Sequence, residues 1–290
     1  MVGAGRSRVA SMCGRYAAAR DQADLALEFE VDVVATGEPS RSVLAAAQDP
    51  PVGEPDWNVA PSKQAPVVLT RVPRGAPEGT PPMRQLRLLT WGLVPAWATD
   101  VKTGLRMINA RAETLLDKGA FVRAALARRA LVPADGWYEW QASPTVTDAK
   151  GRARRQPFFI HRGDGAPVAF AGVYEFWRDR AIDDPDDPRA WLTSFAIVTT
   201  AAEPGLDRIH DRQPVVLEPE DWAAWLDPGR TDAPSVGRLL APRAPGRFAA
   251  YPVSTAVNGA RANGPHLLDP LSAGELRGVV DPTTGEVLGS

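Results

Sequence analysis

The sequence predicts an α+β domain with a mainly β core and a few short peripheral helices. Three observations lead there. Apolar runs of strand length, rich in β-branched and aromatic residues, recur along the chain: PVVLT (66–70), QPFFIHR (156–162), PVAFAGVYEFW (167–177) and SFAIVTT (194–200). The 28 prolines and 25 glycines interrupt the chain too often for long helices. Helical spacing is confined to short stretches, 21–30, 118–129 and 218–226, the last with Pro219 near its first turn.

Between these elements, 36–56, 71–83, 142–156, 178–190 and 227–247 are rich in Pro, Gly, Asp or Arg and read as solvated insertions. Residues 271–290 read as a loose C-terminal tail. At 290 residues, with 44% hydrophobic and 23% charged side chains and no internal repeat, the rest is expected to form one globular domain over 12–270. No apolar run approaches the ~20 residues that span a bilayer. The opening MVGAGRSRVAS lacks the apolar stretch of a signal peptide, so a cytoplasmic, nucleoid-associated protein is expected.

A net charge of −2 excludes a polycation that coats nucleic acid, so any DNA binding requires a local basic groove. The single cysteine excludes an internal disulfide and a Cys-rich zinc site. His161, His210 and His266 show no paired spacing, so neither metal nor cofactor is expected.

The chemistry is sought first in MCGRYA (12–17). A lone cysteine is ordinarily a small hydrophobe. Translation from Met12, followed by removal of that Met, would leave Cys13 with a free α-amine. The amine of a 1,2-aminothiol, with an ordinary pKa near ~8, condenses with an aldehyde to an imine. The adjacent thiol then closes a thiazolidine ring, a step favoured because it is intramolecular. In INARAET (108–114), Asn109 and Arg111 suit either an ordinary loop with a surface ion pair, or orientation of a reactive group and a forked phosphate contact. ALVPADGWYEW (130–140) reads as a hairpin turning at Asp135-Gly136. Its Glu139 faces away from Tyr138 and Trp140. It is either an exposed strand residue or a desolvated proton carrier. In IHDRQPVVL (209–217), His210 is an acid–base candidate or a histidine satisfied by Asp211, and Arg212 suits phosphate. Trp97 and Pro61 could wedge against unstacked bases or sit in the core.

Together MCGRYA, NVAPSK, WGLVPAW, INARAET, LVPADGWYEW, QPFFI, AFAGVYEFW, IVTTAAEPGLDRIHDRQPVVL and VSTAVNGARANGPHLLDP closely resemble the SRAP family, the SOS response-associated peptidase or abasic-site processing proteins, from Met12 to about Pro270. The resemblance implies a single domain around a curved, barrel-like, mainly antiparallel sheet with a basic groove. It implies a monomer acting in the DNA-damage (SOS) response, which binds single-stranded DNA and traps the abasic aldehyde as a thiazolidine. Carried onto this chain, Cys13 is the nucleophile, Asn109 positions the aminothiol or opened sugar, and Glu139 accepts a proton near the α-amine. His210 assists sugar ring-opening and crosslink reversal. Arg15, Arg111 and Arg212 hold phosphates, while Asn58, Pro61, Trp97 and Thr199 match groove positions.

Thr90 and Gln213 depart from the family's usual Arg and Met or Arg. The eleven residues before Met12 are expected to be a misassigned start, with autocatalytic removal or loss of crosslinking as alternatives. The rival function is an N-terminal-nucleophile (auto)peptidase, a hydrolase rather than a lyase reading of the same residues. A different class is a non-catalytic single-strand-binding module.

Overall fold

Strands with alternating apolar positions assemble into two large sheets that share one apolar layer, and Val279–Val280 pairs with Val287–Leu288 in a separate two-stranded ribbon. The structure is a computed structural model that describes residues 13–38, 41–44, 46–117, 119–184 and 186–289; the expected extension 1–11 and Met12 lie outside the described residues. In chain order the strands are β1 (Tyr16–Ala18), β2 (Val33–Val34), β3 (Asp56–Val59), β4 (Gln64–Arg71), β5 (Met83–Trp91), β6 (Asn109–Arg111) and β7 (Arg129–Ala134). They continue with β8 (Gly136–Thr147), β9 (Ala153–Arg162), β10 (Val168–Arg178), β11 (Trp191–Ala201), β12 (Arg212–Pro214), β13 (Phe248–Pro252), β14 (Val279–Val280) and β15 (Val287–Leu288). The α-helices are α1 (Gln22–Glu28), α2 (Gly119–Ala127), α3 (Pro219–Leu226) and α4 (Ala233–Leu239).

β11, β10, β7, β4 and β5 pair in that order, each antiparallel to the next. β5 then returns to β11 in parallel, through Thr90–Ser194 and Trp91–Phe195, and closes a five-strand barrel. The expected barrel-like, mainly antiparallel α+β fold is what forms. One parity of the barrel strands, including Leu69, Leu89, Val132, Phe170 and Ile197, faces inward. It meets Tyr16, Val59, Trp137 and Ile160 of the second sheet, ordered β13-β9-β8-β1-β3. The other parity, including Leu86, Leu131, Ala171 and Val198, lies under the helices against Phe29, Trp222, Trp225 and Val236. Asp21 caps α1 by accepting from the Ala23 amide, and Pro219 opens α3, where its missing N–H costs nothing.

Asp135-Gly136 is not a hairpin turn. β7 pairs with β4 and β10, β8 with β1 and β9, so the dipeptide is a corner between sheets. Asp135 holds the corner by accepting from the Ala19 amide and Arg20. A Cβ on Gly136 would stand 2.3 Å from the Ile160 carbonyl oxygen, so the glycine serves close strand approach rather than turn geometry. Residues 227–247, expected to be a solvated insertion, contain α4, capped by Asp232 and anchored through buried Val236 and Leu240. The span 142–156 is largely the β8–β9 ribbon. The expected loose tail docks instead. Leu276 and Val279 enter the core, and the Gln141 side-chain amide bonds both the N–H and the carbonyl of Val280. In each case one or two apolar anchors among polar neighbours establish no period, which is why composition missed them.

Gly136→Ala is expected to lower unfolding free energy by about 1–3 kcal/mol through overpacking at the corner. Urea denaturation measures this, and an unchanged midpoint would show that the corner relaxes freely.

Candidate active site

The pairing of β1 with β8 places the chain just before β1 beside Glu139. Tyr16 faces Trp137, and the Tyr138 amide donates to the Arg15 carbonyl. Cys13 stands there, 3% exposed. Glu139 shares the inward parity of Trp137 and is 2% exposed. From the barrel, β6 runs parallel to β11 with Asn109 opposite Ile197. The Asn109 amide Nδ2 donates to the Cys13 carbonyl at 2.8 Å, tying the N-terminal strand to the barrel. His210 precedes β12. Its Nδ1 lies 3.9 Å from Glu139 Oε2 and 3.2 Å from Asp211 Oδ1, and the Arg212 amide donates to it at 3.1 Å. The Cys13 thiol also lies 3.8 Å from the Arg212 carbonyl. Cys13, Asn109, Glu139 and His210, spread over nearly 200 positions of sequence, thus converge at one end of the barrel.

Burial pushes the Glu139 carboxyl up to about 8, partly opposed by a hydrogen bond with the Cys13 thiol. Burial, reinforced by the Glu139 charge, pushes the thiol itself well up. The resting site therefore holds a neutral thiol rather than the thiolate of a cysteine beside a cationic partner. Its base is a carboxyl poised to exchange protons near neutrality. Glu139 Oε1 and Asn109 Oδ1 are buried acceptors with no protein partner among the described residues.

The residues expected to bind DNA divide into two groups. Arg111 is exposed on β6, two residues from Asn109, and Trp97 is 67% exposed. Pro61 is half-buried. The others are engaged within the protein. Arg212 makes a forked pair with Glu113 at 2.7 and 3.0 Å and donates to the Thr199 carbonyl at 2.7 Å. Glu113 is held below its ordinary range by that guanidinium. Thr199 is fully buried. Arg15 donates to Asn58 Oδ1 at 2.9 Å and to the Val257 carbonyl at 2.8 Å. Asn58, also fully buried, spends its Nδ2 on the carbonyls of Val257, Gly259 and Ala262. These four form braces, one under β12 and one under the 257–262 loop. The sequence reading assigned Glu113 no role; its place two residues after Arg111 in INARAET was the available signal. Thr90 and Gln213, the departures from the family pattern, are both buried.

Residues 12–260 match the family described as SOS response associated peptidase (SRAP). The chain belongs to the SRAP family. It is 34% identical over 260 residues to the abasic site processing protein YoqW of Bacillus subtilis, covering 89% of this chain and 99% of that one. It is 30% identical over 268 residues to the abasic site processing protein YedK of Escherichia coli, covering 90% and 100%. Among solved structures, a protein from Bacteroides thetaiotaomicron aligns with a TM-score of 0.64 at 20% identity, covering 90% of this SRAP chain and 100% of that one. A phage-related protein from Bordetella bronchiseptica aligns at 0.55 and 30% identity, covering 83% and 94%. Among the described residues, no group of three or more His, Cys, Asp or Glu could hold a metal, and no helix is long and apolar enough to cross a membrane.

The raised Glu139 carboxyl sets a sign for stability. The folded state retains a proton that the unfolded chain releases above about 4.5, so stability present below that pH is lost as pH rises through about 8. Glu139→Gln is expected to flatten this decline and to melt higher than the parent above pH 8. Melting temperature against pH checks it, and parallel curves would place the titration elsewhere.

Proposed function

We propose that this SRAP protein processes abasic sites in single-stranded DNA by covalent capture through Cys13. The observation that carries the reading is the convergence of Cys13, Asn109, Glu139 and His210, in a family whose relatives are named for abasic-site processing. With its α-amine free, Cys13 attacks the C1 aldehyde of the ring-opened sugar. Loss of water gives the imine. The Sγ–C1 bond then forms, the thiol proton leaves to Glu139, and the ring nitrogen gains a proton. A carboxyl near 8 is matched to an α-ammonium of similar acidity, so proton exchange between them is close to balanced. His210, beside Glu139, assists opening of the sugar ring. Asn109 orients Cys13 through its carbonyl. Arg111 and Trp97 are the exposed contacts for backbone and base, while Arg15, Asn58, Thr199 and Arg212 support the groove from beneath and Pro61 flanks it. The reading makes the protein a component of the DNA-damage response, and the crosslink needs no cofactor.

The peptidase reading uses the same thiol and carboxyl on the peptide bond that precedes Cys13. Intact-mass analysis of protein expressed from the native gene, before and after mixing with single-stranded DNA bearing one abasic site, separates the two. A mass beginning at Cys13 and a heat-stable adduct are expected, with the adduct abolished in Cys13→Ala. Protein that retains residues 1–12 and forms no adduct would remove the capture mechanism. Processing to Cys13 without any adduct would favour the peptidase.

Arg111→Ala is expected to weaken binding to undamaged single strands and to reduce the salt dependence by about 0.7 in log–log slope, one phosphate contact. An unchanged slope in fluorescence anisotropy would take Arg111 off the DNA path.

A further inference from the structure

The barrel has a second open end, and its chemistry is unlike the first. β5 and β11 pair only at Thr90–Trp91 and Ser194–Phe195, so toward the start of both strands the seam opens. A cavity of about 420 Å³ occupies this opening, within the range of small-molecule sites in the mouths of barrels. Arg71, Arg87, Phe176 and Thr193 share the inward parity of Leu69, Leu89, Tyr174 and Phe195, so they face the lumen at this end. Arg74 and Asp186 stand at the rim.

This cavity is separate from the Cys13 cluster. Asn109 and Arg212 pair with the later half of β11, in which Thr199 lies, whereas the cavity is walled by its first residues. Between them Tyr16, Trp91, Phe170 and Phe195 form a buried aromatic plug, with Tyr16 5.1 Å from Trp91 and 5.9 Å from Phe170 by ring centroids.

Three guanidiniums share the wall with two carboxylates. Glu38 is bonded to Arg87, and Arg74 donates to the Asp186 backbone carbonyl at 3.4 Å. Arg71 lies over the Phe176 ring at 4.9 Å, and only its Nε bonds protein, donating to the Val72 carbonyl. Its two terminal nitrogens have no protein partner among the described residues. Burial, with repulsion from Arg87 and Arg74, holds Arg71 below its ordinary range, a cost that a bound anion would relieve. The planar fork of an arginine already stacked on an aromatic ring is pre-organised for a phosphoryl group.

We propose that this mouth binds a small phosphomonoester with a planar body, of mononucleotide size. Arg71 and Arg74 hold the phosphate, and Phe176 and the Trp191 side of the wall cover the ring. The phosphate's charge of about −1.5 to −2 at neutral pH answers Arg71 and Arg74, whose hydrogen bonds among the described residues go to backbone carbonyls rather than to carboxylates.

The test is calorimetric titration of the full chain with deoxyadenosine 5′-monophosphate, alongside deoxyadenosine and inorganic phosphate. Saturable binding of the nucleotide is expected. It should weaken at least tenfold for the nucleoside, for phosphate alone, and for the nucleotide with Arg71→Gln. Arg74→Gln, at an exposed position, should weaken it by a similar factor with an unchanged melting temperature. Capture of abasic DNA by both variants should match the parent, which keeps this result independent of the Cys13 reading. The proposal is overturned if the nucleotide does not saturate, or if its binding survives both substitutions. It is equally overturned if phosphate alone binds as tightly, or if only a 5′-phosphorylated oligonucleotide binds.

Discussion

Barrel closure depends on a short parallel contact, Thr90–Trp91 of β5 against Ser194–Phe195 of β11, and most of what is distinctive about the molecule follows from it. Parallel pairing requires a long connection, and here the connection between β5 and β11 contains β6 through β10. β11 is thereby shared between β5, β6, β10 and β12, making it the axis on which Asn109 and Arg212 are both hung. Because the contact is only two residue pairs long, it closes the barrel around the aromatic plug and leaves the seam open beyond it.

The Cys13 cluster is assembled under a different constraint, the cost of burying ionisable groups. A carboxyl and a thiol that are almost fully enclosed favour their neutral forms, and the Glu139 charge makes the thiol harder still to ionise. The surrounding polar contacts are structural: Asn109 on the Cys13 carbonyl, the Arg212 amide on His210, Arg212 on Glu113. They hold the reacting groups in place, and the positive charge of Arg212 only partly offsets the burial that keeps the thiol neutral. A neutral, waiting site suits a reaction with an aldehyde, in which the proton moves only as the new bond forms.

Charged side chains that looked alike in sequence have separate physical roles. Arg15 and Arg212 each donate to side-chain oxygens and to backbone carbonyls within the protein. Arg111, on β6 opposite Thr199, is exposed instead. Burial of Asn58 and Thr199 follows the same division. The motifs in which these residues occur are thus as much about holding the groove as about touching what lies in it.

The strand runs at 66–70, 156–162, 167–177 and 194–200, the short helical stretches at 21–30 and 218–226, and the motif order that marks the SRAP family were all legible in the sequence, because they rest on local periodicity or on contiguous residues. So was the identity of the four clustered site residues, through resemblance. The corner at Gly136 was not, because its reason is the Ile160 carbonyl that a Cβ would strike. Nor was docking of the C-terminal segment, which hangs on Leu276, Val279 and one glutamine amide. Which arginines face solvent, and which end of the barrel each charged group reaches, depend on strand register and closure. Those are set by contacts between residues far apart in the chain, where neither spacing nor composition carries information.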